Sequence, residues 1–268
     1  MQEAHEKFQQ EGLGLAAISY DSEAILADFT QRRGIDYPLL ADPKSEIIQK
    51  YGVLNPEAGG FTKGMALPGY FYVTPDGKVK EKFFETAYTD RTTANNLLLK
   101  IFPQLVEGAG RTVPAPHIKL ALFQSDKIVV HGSRFTIAAE IELPPDTHVY
   151  APGVKGYKPI ELTLEATPEL KLQQVRYPQA RVLYLPAIKE SVPVFEGKFR
   201  VFQDVVVSAD RTFVTSLGAG KTLALKGNLL YQACDSTKCY APQKLDLSWE
   251  IQAMPLDRQR SPEAIQHK

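Results

Sequence analysis

The hydrophobic pattern of the chain changes near its middle, and this change limits the folds that are possible. Residues 1–104 alternate short apolar runs with amphipathic segments, the pattern of strands and helices in an α/β domain. Residues 117–254 instead alternate apolar and polar positions between turn signals, which is typical of an all-β sandwich. Because 268 residues is long for one compact unit, we predict two domains, joined by a linker at 105–116 and followed by a polar tail at 255–268.

Local signals within the first half support the α/β assignment. The stretch DSEAILADFTQRRG (21–34) begins with capping residues and ends in glycine, which predicts a helix. DPKSEIIQKYG (42–52) predicts a shorter helix with Pro43 at its first position. GYFYVTPDGKVKEKFFE (69–85) predicts a hairpin around Pro-Asp-Gly, and a helix at roughly 90–102 closes the domain.

The composition argues against several classes of function. Lys+Arg and Asp+Glu both total 31, so no net charge attracts nucleic acid or an anionic membrane. No apolar run approaches the ~18 residues of a membrane span. The first twelve residues, MQEAHEKFQQEG, lack the basic and apolar regions of a signal peptide.

Motifs that resemble cofactor or metal sites do not meet the structural requirements of those sites. GLGLAA (12–17) imitates a dinucleotide fingerprint, but it lies between a helix and a strand, the reverse of the required order. GAGKT (218–222) resembles the end of a phosphate loop, but a strand follows it. The five histidines share no ligand spacing with the cysteines: His5, His117, His131, His148 and His267. We therefore predict no cofactor and no metal site.

The only two cysteines lie five positions apart in YQACDSTKCYAPQ (231–243). Cys234 ends one predicted strand, another begins soon after Cys239, and the four residues between them are polar turn formers, so the two thiols can face each other across a hairpin. A six-residue ring stabilises the fold by only about 2 kcal/mol in the loop-entropy model. An exposed bridge at the end of a hairpin is prone to exchange. The residues alone leave a redox-active pair and a structural disulfide as equal alternatives.

The stretch LLYQACDSTKCYAPQ (229–243) resembles the disulfide hairpin of the N-terminal periplasmic domain of the DsbD thiol:disulfide interchange family. The family pattern Y-Q-x-C…C-Y-x-P is matched by six residues: Tyr231, Gln232, Cys234, Cys239, Tyr240 and Pro242. The resemblance implies an immunoglobulin-like sandwich. It also implies that Cys234 and Cys239 exchange a disulfide with partner proteins, with the other four residues framing the hairpin.

The same resemblance implies an aromatic cap over the cysteine pair. The segment SVPVFEGKF (191–199) matches the family's cap region, with Phe195 as the cap residue. Better-known members of the family carry acidic residues immediately before this aromatic, where the present chain has Pro193 and Val194. Glu190 and Glu196 are the nearest acidic residues in the sequence. The chain also lacks the transmembrane electron conduit of full-length relatives, so its electrons have to come from a separate protein.

Residues 13–104 resemble the redoxin group, which includes AhpC/TSA peroxiredoxins and TlpA-like thioredoxin-fold proteins. Three stretches stand in the group's order: GLGLAAISYDS, YPLLADPKSEIIQKYGV and LPGYFYVTPDGKV. Leu67–Pro68 matches the cis-proline position of the group. No cysteine precedes Cys234, so this half has no nucleophile for a peroxidase or dithiol reductase.

The resemblance to redoxins implies that one central strand and the active-site cysteine are missing from the first half. The strands at 13–19 and 69–74 would then flank a slot with unpaired backbone groups, which is costly when buried. We therefore expect that the sequence is an internal fragment or has a misplaced start, or that another segment fills the slot. A signal peptide would have been lost with such a start.

Our leading hypothesis is a thiol–disulfide oxidoreductase of a bacterial periplasm or another extracytoplasmic compartment. Its partners would be other thiol–disulfide proteins, thioredoxin-fold donors or acceptors, and the direction of electron flow is not specified by the residues. The alternatives are a protein-binding scaffold with a structural disulfide and a fragment of a peroxiredoxin-like peroxidase.

Overall fold

The chain folds into two compact units. The computed structural model describes residues 1–85, 87–105, 110–185, 189–257 and 259–266. Unit 1 comprises Met1–Leu98 together with Leu256–Lys268, and unit 2 comprises Leu99–Pro255. Among the described residues, no helix has both the length and the apolar character that crossing a membrane requires.

Unit 1 mixes short helices and strands, as predicted from its pattern. Its elements are α1 (His5–Gln10), β1 (Ala17–Ser19), α2 (Glu23–Arg33), β2 (Leu39–Ala41), α3 (Glu46–Lys50), β3 (Gly69–Val73), β4 (Val79–Phe84), β5 (Arg91–Thr92) and α4 (Ala94–Ile101). Single 3-10 turns lie at Gln2–Ala4, Gly60–Thr62 and Glu263–Ile265. The division between the two units falls within α4.

The helix boundaries follow from capping chemistry. The Ser22 hydroxyl accepts a hydrogen bond from the Ile25 backbone N–H, and Gly34 ends α2 with a φ of 58°. The predicted start of the next helix is wrong, because α3 begins at Glu46 and not at Pro43. The Asp42 carboxylate accepts hydrogen bonds from three backbone N–H groups of its first turn, at 2.9–3.0 Å, and so sets this start.

The predicted hairpin is confirmed, and strands β1 to β4 form two separate sheets. β3 pairs with β4 antiparallel, and the turn closes with Gly77 at a φ of 80°. β1 pairs with β2 in parallel. Within the described residues, no strand joins these two pairs. Apolar side chains on the strands are accordingly exposed, with Ile18 on β1 and Leu40 on β2 at 41% and 51%.

One further expectation for this half differs from the structure. Among the described residues no peptide bond is cis, so Leu67–Pro68 is trans, the intrinsically favoured form of an X–Pro bond. Leu256–Lys268, within the predicted polar tail, groups with unit 1. The Arg33 guanidinium lies 2.5 Å from the Asp257 carboxylate, a long-range ion pair that composition alone does not reveal.

Unit 2 is almost entirely β-structure. Its elements are β6 (Arg111–Val113), β7 (Lys119–Gln124), β8 (Ile128–Val130), β9 (Ser133–Glu142), β10 (His148–Tyr150), β11 (Glu161–Leu164), β12 (Leu170–Arg176), β13 (Arg181–Leu185), β14 (Glu190–Glu196), β15 (Lys198–Val207), α5 (Arg211–Ser216), β16 (Lys221–Tyr231), β17 (Ala233–Cys234) and β18 (Gln243–Met254).

The two larger sheets of unit 2 enclose one apolar core. One sheet has the order β12-β15-β9-β7-β6 and the other β11-β16-β18-β8. Buried and exposed residues alternate along β16 and β18, the period-2 pattern that predicted a sandwich. Phe135 and Val205 of the first sheet share a core cluster with Leu229 and Trp249 of the second. The edge strand β6 lies inside the predicted linker, of which residues 106–109 fall outside the described residues.

A third, smaller sheet in unit 2 carries the first cysteine. Its order is β13-β14-β10-β17, which places Cys234 on an edge strand. The registers align His148 of β10 with Glu196 of β14 on one side and with Cys234 of β17 on the other. We call these three residues the Cys234 rung. Because facing residues in an antiparallel sheet share a face, their side chains project to the same side.

Candidate functional site: the Cys234–Cys239 hairpin

The two cysteines form a disulfide at the tip of a tight hairpin. Their sulfurs are bonded at 2.02 Å and their Cα atoms are 3.9 Å apart. Cys234 and Cys239 also form an isolated antiparallel bridge. Both cysteines of the sequence are therefore used in one bond, in the facing arrangement that the turn residues predicted.

The Asp235 carboxylate organises the loop between the cysteines. Its Oδ1 accepts hydrogen bonds from the backbone N–H groups of Thr237 and Lys238, at 2.7 and 2.9 Å, and from the Thr237 hydroxyl at 2.7 Å. Its Oδ2 accepts a hydrogen bond from the Tyr240 hydroxyl at 2.8 Å. The Thr237 and Tyr240 hydroxyls and these N–H groups lower the pKa of Asp235 far below its usual range.

Gln232 and Tyr240 hold the base of the hairpin. The Gln232 side-chain amide donates to the Tyr240 carbonyl at 2.8 Å, and the Tyr240 N–H donates to the Ala233 carbonyl at 2.9 Å. The Tyr240 ring stacks on the His117 ring with centroids 3.8 Å apart. The Lys238 ammonium lies 5.2 Å from the same ring. Both residues thus contact the base of the disulfide loop.

Tyr231 and Pro242, the other two residues predicted to frame the hairpin, lie in different environments. The Tyr231 side chain is 1% exposed in the core of the sandwich, and its hydroxyl donates to the Pro116 carbonyl at 2.7 Å. Burial raises the pKa of Tyr231 to about 12. Pro242 is exposed beyond the hairpin. Tyr231 therefore anchors the strand that leads to Cys234.

The two cysteine residues differ strongly in exposure. Cys234 is 1% exposed, whereas Cys239 belongs to the exposed residues of the loop. Disulfide exchange requires a nucleophile to approach one sulfur along the S–S axis, so access decides which sulfur is attacked. The geometry gives that access to Cys239.

The aromatic ring beside the disulfide belongs to Tyr150. Its hydroxyl oxygen lies 3.9 Å from the sulfur of Cys234 and 3.9 Å from that of Cys239. The Tyr157 ring, from the loop that follows β10, stacks on Tyr150 with centroids 4.3 Å apart. The Tyr157 hydroxyl in turn donates to Glu190 at 2.7 Å, and this hydrogen bond is the main cause that raises the pKa of Tyr157 to about 12.

Phe195 lies on the opposite face of the small sheet, so the structure differs from the expected cap. It pairs with Val149, and both belong to the core cluster of the sandwich, where the Phe195 ring lies 4.8 Å from that of Phe199. Cys234 instead clusters with Tyr150 and Val194 on the other face. The reason is that β14 runs as paired strand to Glu196, which fixes Phe195 in a core-facing register.

Besides Asp235, two charged residues near the disulfide are Glu196 and Lys238. Glu196 lies on the Cys234 rung, and its carboxylate accepts an ion pair from the Arg181 guanidinium at 2.9 Å. The Lys238 ammonium points to the Tyr240 ring, not to a sulfur. Within the described part of the chain, no group of three or more His, Cys, Asp or Glu side chains is arranged to hold a metal ion.

Replacing Asp235 with Asn should change the response of the loop to acid. The pKa of Asp235 is lower in the folded chain than in the unfolded chain, where it is about 4. The ionised carboxylate therefore stabilises the folded loop fully above about pH 4, and this stabilisation is lost as the pH falls through the folded-state pKa. In a pH titration followed by NMR, we expect the amide signals of Thr237 and Lys238 to stay constant down to about pH 4 and to move only below it.

The Asp235→Asn variant should lack this acid transition, whereas Asp246→Asn, at an exposed position on β18, should keep it. Amide signals that move at an ordinary carboxyl pKa in the unmodified chain would contradict the proposed loop network.

Sequence reasoning missed Tyr150, Tyr157 and His148 as members of the site. The sequence places His148 and Tyr150 two positions apart in a strand-like stretch, so period-2 alternation puts them on one face. Their neighbour across the strands is Cys234, more than eighty positions away, and no local signal specifies this pairing.

Comparisons with known proteins agree with the two-part organisation. Residues 1–82 match the model of the AhpC/TSA family. Residues 120–248 match the model described as thiol:disulfide interchange protein DsbD, N-terminal. The redoxin-like first region and the β-rich DsbD-type second region are thereby confirmed.

Curated relatives cover the first region and are peroxiredoxins. Peroxiredoxin tpx1 from Schizosaccharomyces pombe is 32% identical over 120 residues, which is 42% of this chain and 60% of the relative. A peroxiredoxin from Ignicoccus hospitalis is 32% identical over 81 residues, 30% of this chain and 33% of the relative. The chain thus spans less than two thirds of the length of either protein.

Solved structures that are similar to this chain include N-terminal domains of ScsB and DsbD. The N-terminal periplasmic domain of ScsB from Proteus mirabilis matches 52% of this chain and 49% of its own, at 14% identity and a TM-score of 0.35. The reduced DsbD N-terminal domain from Neisseria meningitidis matches 45% of this chain and 82% of its own, at 15% identity and a TM-score of 0.30. A chain in the complex between the DsbD N-terminal and PilB N-terminal domains from the same organism matches 42% of this chain and 73% of its own, at 12% identity and a TM-score of 0.30.

The chain thus joins a region similar to the AhpC/TSA family to a region similar to the DsbD N-terminal family, and the second region carries the Cys234–Cys239 disulfide.

Proposed function

We propose that the protein exchanges disulfides with partner proteins through Cys234 and Cys239. The observation that carries this proposal is the asymmetry of the pair, with one cysteine residue exposed in a short loop and the other buried. A purely structural disulfide does not need an exposed sulfur, whereas exposed disulfides are the ones that exchange readily. The match of residues 120–248 to the DsbD N-terminal family supports the same chemistry.

Cys239 is the sulfur at which partner and protein are joined. When the oxidised chain accepts electrons, a partner thiolate attacks the Cys239 sulfur, a mixed disulfide forms, and Cys234 leaves as a thiolate. The partner's second thiolate then attacks its own sulfur in the mixed disulfide and releases Cys239. Two electrons pass to the pair, and the partner becomes oxidised. The reverse sequence passes electrons to a partner disulfide.

Tyr150 takes the shielding role that the family motif assigned to Phe195. Its ring is 2% exposed, its hydroxyl lies against both sulfurs, and Tyr157 covers it from outside. This cover leaves Cys239 open on the loop side, where a concave partner surface can reach it. Thioredoxin-fold donors and acceptors present such reactive thiols, and we propose them as the partners.

The first region contributes no thiol to this chemistry. Both cysteines of the 268 residues lie in the second region, and the first region therefore has no peroxidase nucleophile of its own. We propose that it is catalytically inactive in the sequence given and that the reaction resides in the sandwich. An oxidising extracytoplasmic compartment, such as the bacterial periplasm, is where such exchange proteins act.

A trapping experiment tests the assignment of Cys239. The full chain with Cys234→Ser is reduced and mixed with a thioredoxin-fold protein that keeps a single active-site cysteine, activated as its thionitrobenzoate disulfide. We expect a one-to-one covalent complex in intact mass spectra, because Cys239 displaces thionitrobenzoate and no second thiol resolves the product.

The matched control is Cys239→Ser, which leaves only the buried sulfur. We expect it to react at least about 100-fold more slowly, since Cys234 is inaccessible to a folded partner. Equal rates for the two variants, or no reaction for either, would overturn the assignment.

A further inference from the structure

A buried histidine lies opposite Cys234 in the small sheet, and the exchange proposed above does not use it. His148 is 5% exposed and stands directly opposite Cys234 in the β10–β17 pair. Directly opposite residues of an antiparallel pair have Cβ atoms about 4.5–5.5 Å apart. The Nε2 atom of His148 is buried and has no hydrogen-bond partner among the described residues.

The redox state of the pair decides whether this nitrogen can find a partner. The oxidised sulfurs carry no proton, so they offer no donor to Nε2. Reduction places an S–H group on Cys234, across from the imidazole. A buried nitrogen without a partner is costly, so an S–H group within reach of an unprotonated Nε2 would lower the free energy of the reduced form.

The surroundings of His148 suit a group that accepts a proton. Glu196 faces it from β14, and the Tyr150 ring meets it edge-on with centroids 5.4 Å apart. The Asp235 carboxylate is the other charge that acts on it, from the hairpin loop. Burial lowers the pKa of His148, and Glu196 and Asp235 oppose this effect. The imidazole is therefore neutral near pH 7, and Glu196, which faces it across the strand pair, is ion-paired with Arg181.

We infer that His148 takes the proton from the Cys234 thiol during exchange and returns it in the reverse reaction, with Glu196 positioning the imidazole. This inference rests on the proposed function. It also explains how a sulfur that is 1% exposed can react, because apolar burial disfavours a thiolate that has no partner.

The proton transfers complete the exchange that oxidises the pair. The Cys239 thiolate attacks the partner disulfide, a mixed disulfide forms, and the partner's first sulfur leaves as a thiolate. Nε2 then takes the Cys234 proton while the Cys234 sulfur attacks that of Cys239. The partner's second sulfur leaves, and the imidazolium or solvent supplies its proton. Two electrons and the Cys234 proton have left the pair, and the partner's first sulfur, which left as a thiolate, takes its proton from solvent.

Oxidation of the reduced full chain by oxidised glutathione tests this role. The reaction is quenched with acid at set times, and intact mass gives the fractions of reduced, mixed-disulfide and oxidised chain between about pH 5.5 and 9. We expect the ring-closing step of the unmodified chain to vary little between about pH 6.5 and 8, where His148 is neutral.

The His148→Gln variant should close the ring about tenfold more slowly near pH 7. Its rate should instead rise about tenfold per pH unit, up to a thiol pKa of about 8.5 or above. In a Cys234→Ser background only the first step remains, and His148→Gln should leave that step unchanged. His131→Gln, on the turn before β9, is the matched histidine control.

Glu196→Gln provides a second variant, at a partly exposed side chain, and we expect it to slow ring closure by about threefold. Glu142→Gln is the control, because Glu142 is also a glutamate in an ion pair. If the unmodified chain is oxidised and His148→Gln shows the same pH profile, the role of His148 is overturned while the proposed function stands. If glutathione does not oxidise the unmodified chain, both are overturned.

Discussion

Replacing Cys239 with Ser is expected to reduce the rate of disulfide exchange by about a thousandfold or more, because the reacting sulfur itself is removed. The same change should lower the free energy of unfolding by only about 2 kcal/mol, the value for opening a six-residue ring. The hairpin keeps its other supports, including the hydrogen bonds of Asp235 and Gln232. Exchange with a glutathione buffer and urea unfolding measure the two effects separately.

Comparing the effect on the exchange rate with the effect on the unfolding free energy distinguishes a redox-active pair from a structural disulfide. A structural disulfide would show its whole effect in the unfolding free energy and none in an exchange rate. A Cys234→Ala/Cys239→Ala double variant gives the same stability comparison without an added hydroxyl. A loss of stability much greater than the ring-closure value, without measurable exchange in the unmodified chain, would contradict the account.

Tyr150→Ala should have the second largest effect, on both stability and reactivity. Truncation of a buried aromatic residue costs about 3 kcal/mol or more, and Tyr150 is 2% exposed in a cluster with Val192 and Val194. Its removal also uncovers the two sulfurs that lie 3.9 Å from its hydroxyl. We expect dithiothreitol to reduce the variant about tenfold faster than the unmodified chain.

Tyr184→Ala is the matched control, because this tyrosine belongs to β13 of the same sheet and is 56% exposed. It should change the unfolding free energy by about 0.5 kcal/mol or less and leave the reduction rate unchanged. Tyr150→Phe keeps the ring and should stay within about 1.5 kcal/mol of the unmodified chain. An unchanged reduction rate in Tyr150→Ala would contradict the proposal that Tyr150 shields the disulfide.

The elements specified by local chemistry were predictable from the sequence. The α2 helix follows from a serine cap and a terminal glycine, and the β3–β4 hairpin from its Pro-Asp-Gly turn. The alternation along β16 and β18 predicted the sandwich, because period-2 burial requires a sheet with one face on a core. The start of α3 was wrong because proline at a plausible first position does not reveal that Asp42 caps later N–H groups.

The candidate site was predictable only where its residues are neighbours in sequence. The disulfide, and the framing by Gln232 and Tyr240, follow from one hairpin. Tyr150 and His148 reach the pair through strand registers that connect distant segments, and a one-residue shift would move them to the other face. The same sensitivity to register explains why Phe195 was expected to cap the disulfide but lies in the core. Its position in the motif does not show that β14 holds it in a core-facing register.

The redox equilibrium of the Cys234–Cys239 pair is the most direct test of the central claim. The full chain is equilibrated in glutathione and dithiothreitol buffers, free thiols are alkylated, and intact mass gives the reduced fraction. We predict that the pair is reduced within the glutathione range, with a potential similar to that of exchange proteins, about −120 to −270 mV. A pair that stays oxidised until below about −300 mV is a structural disulfide and would contradict the account.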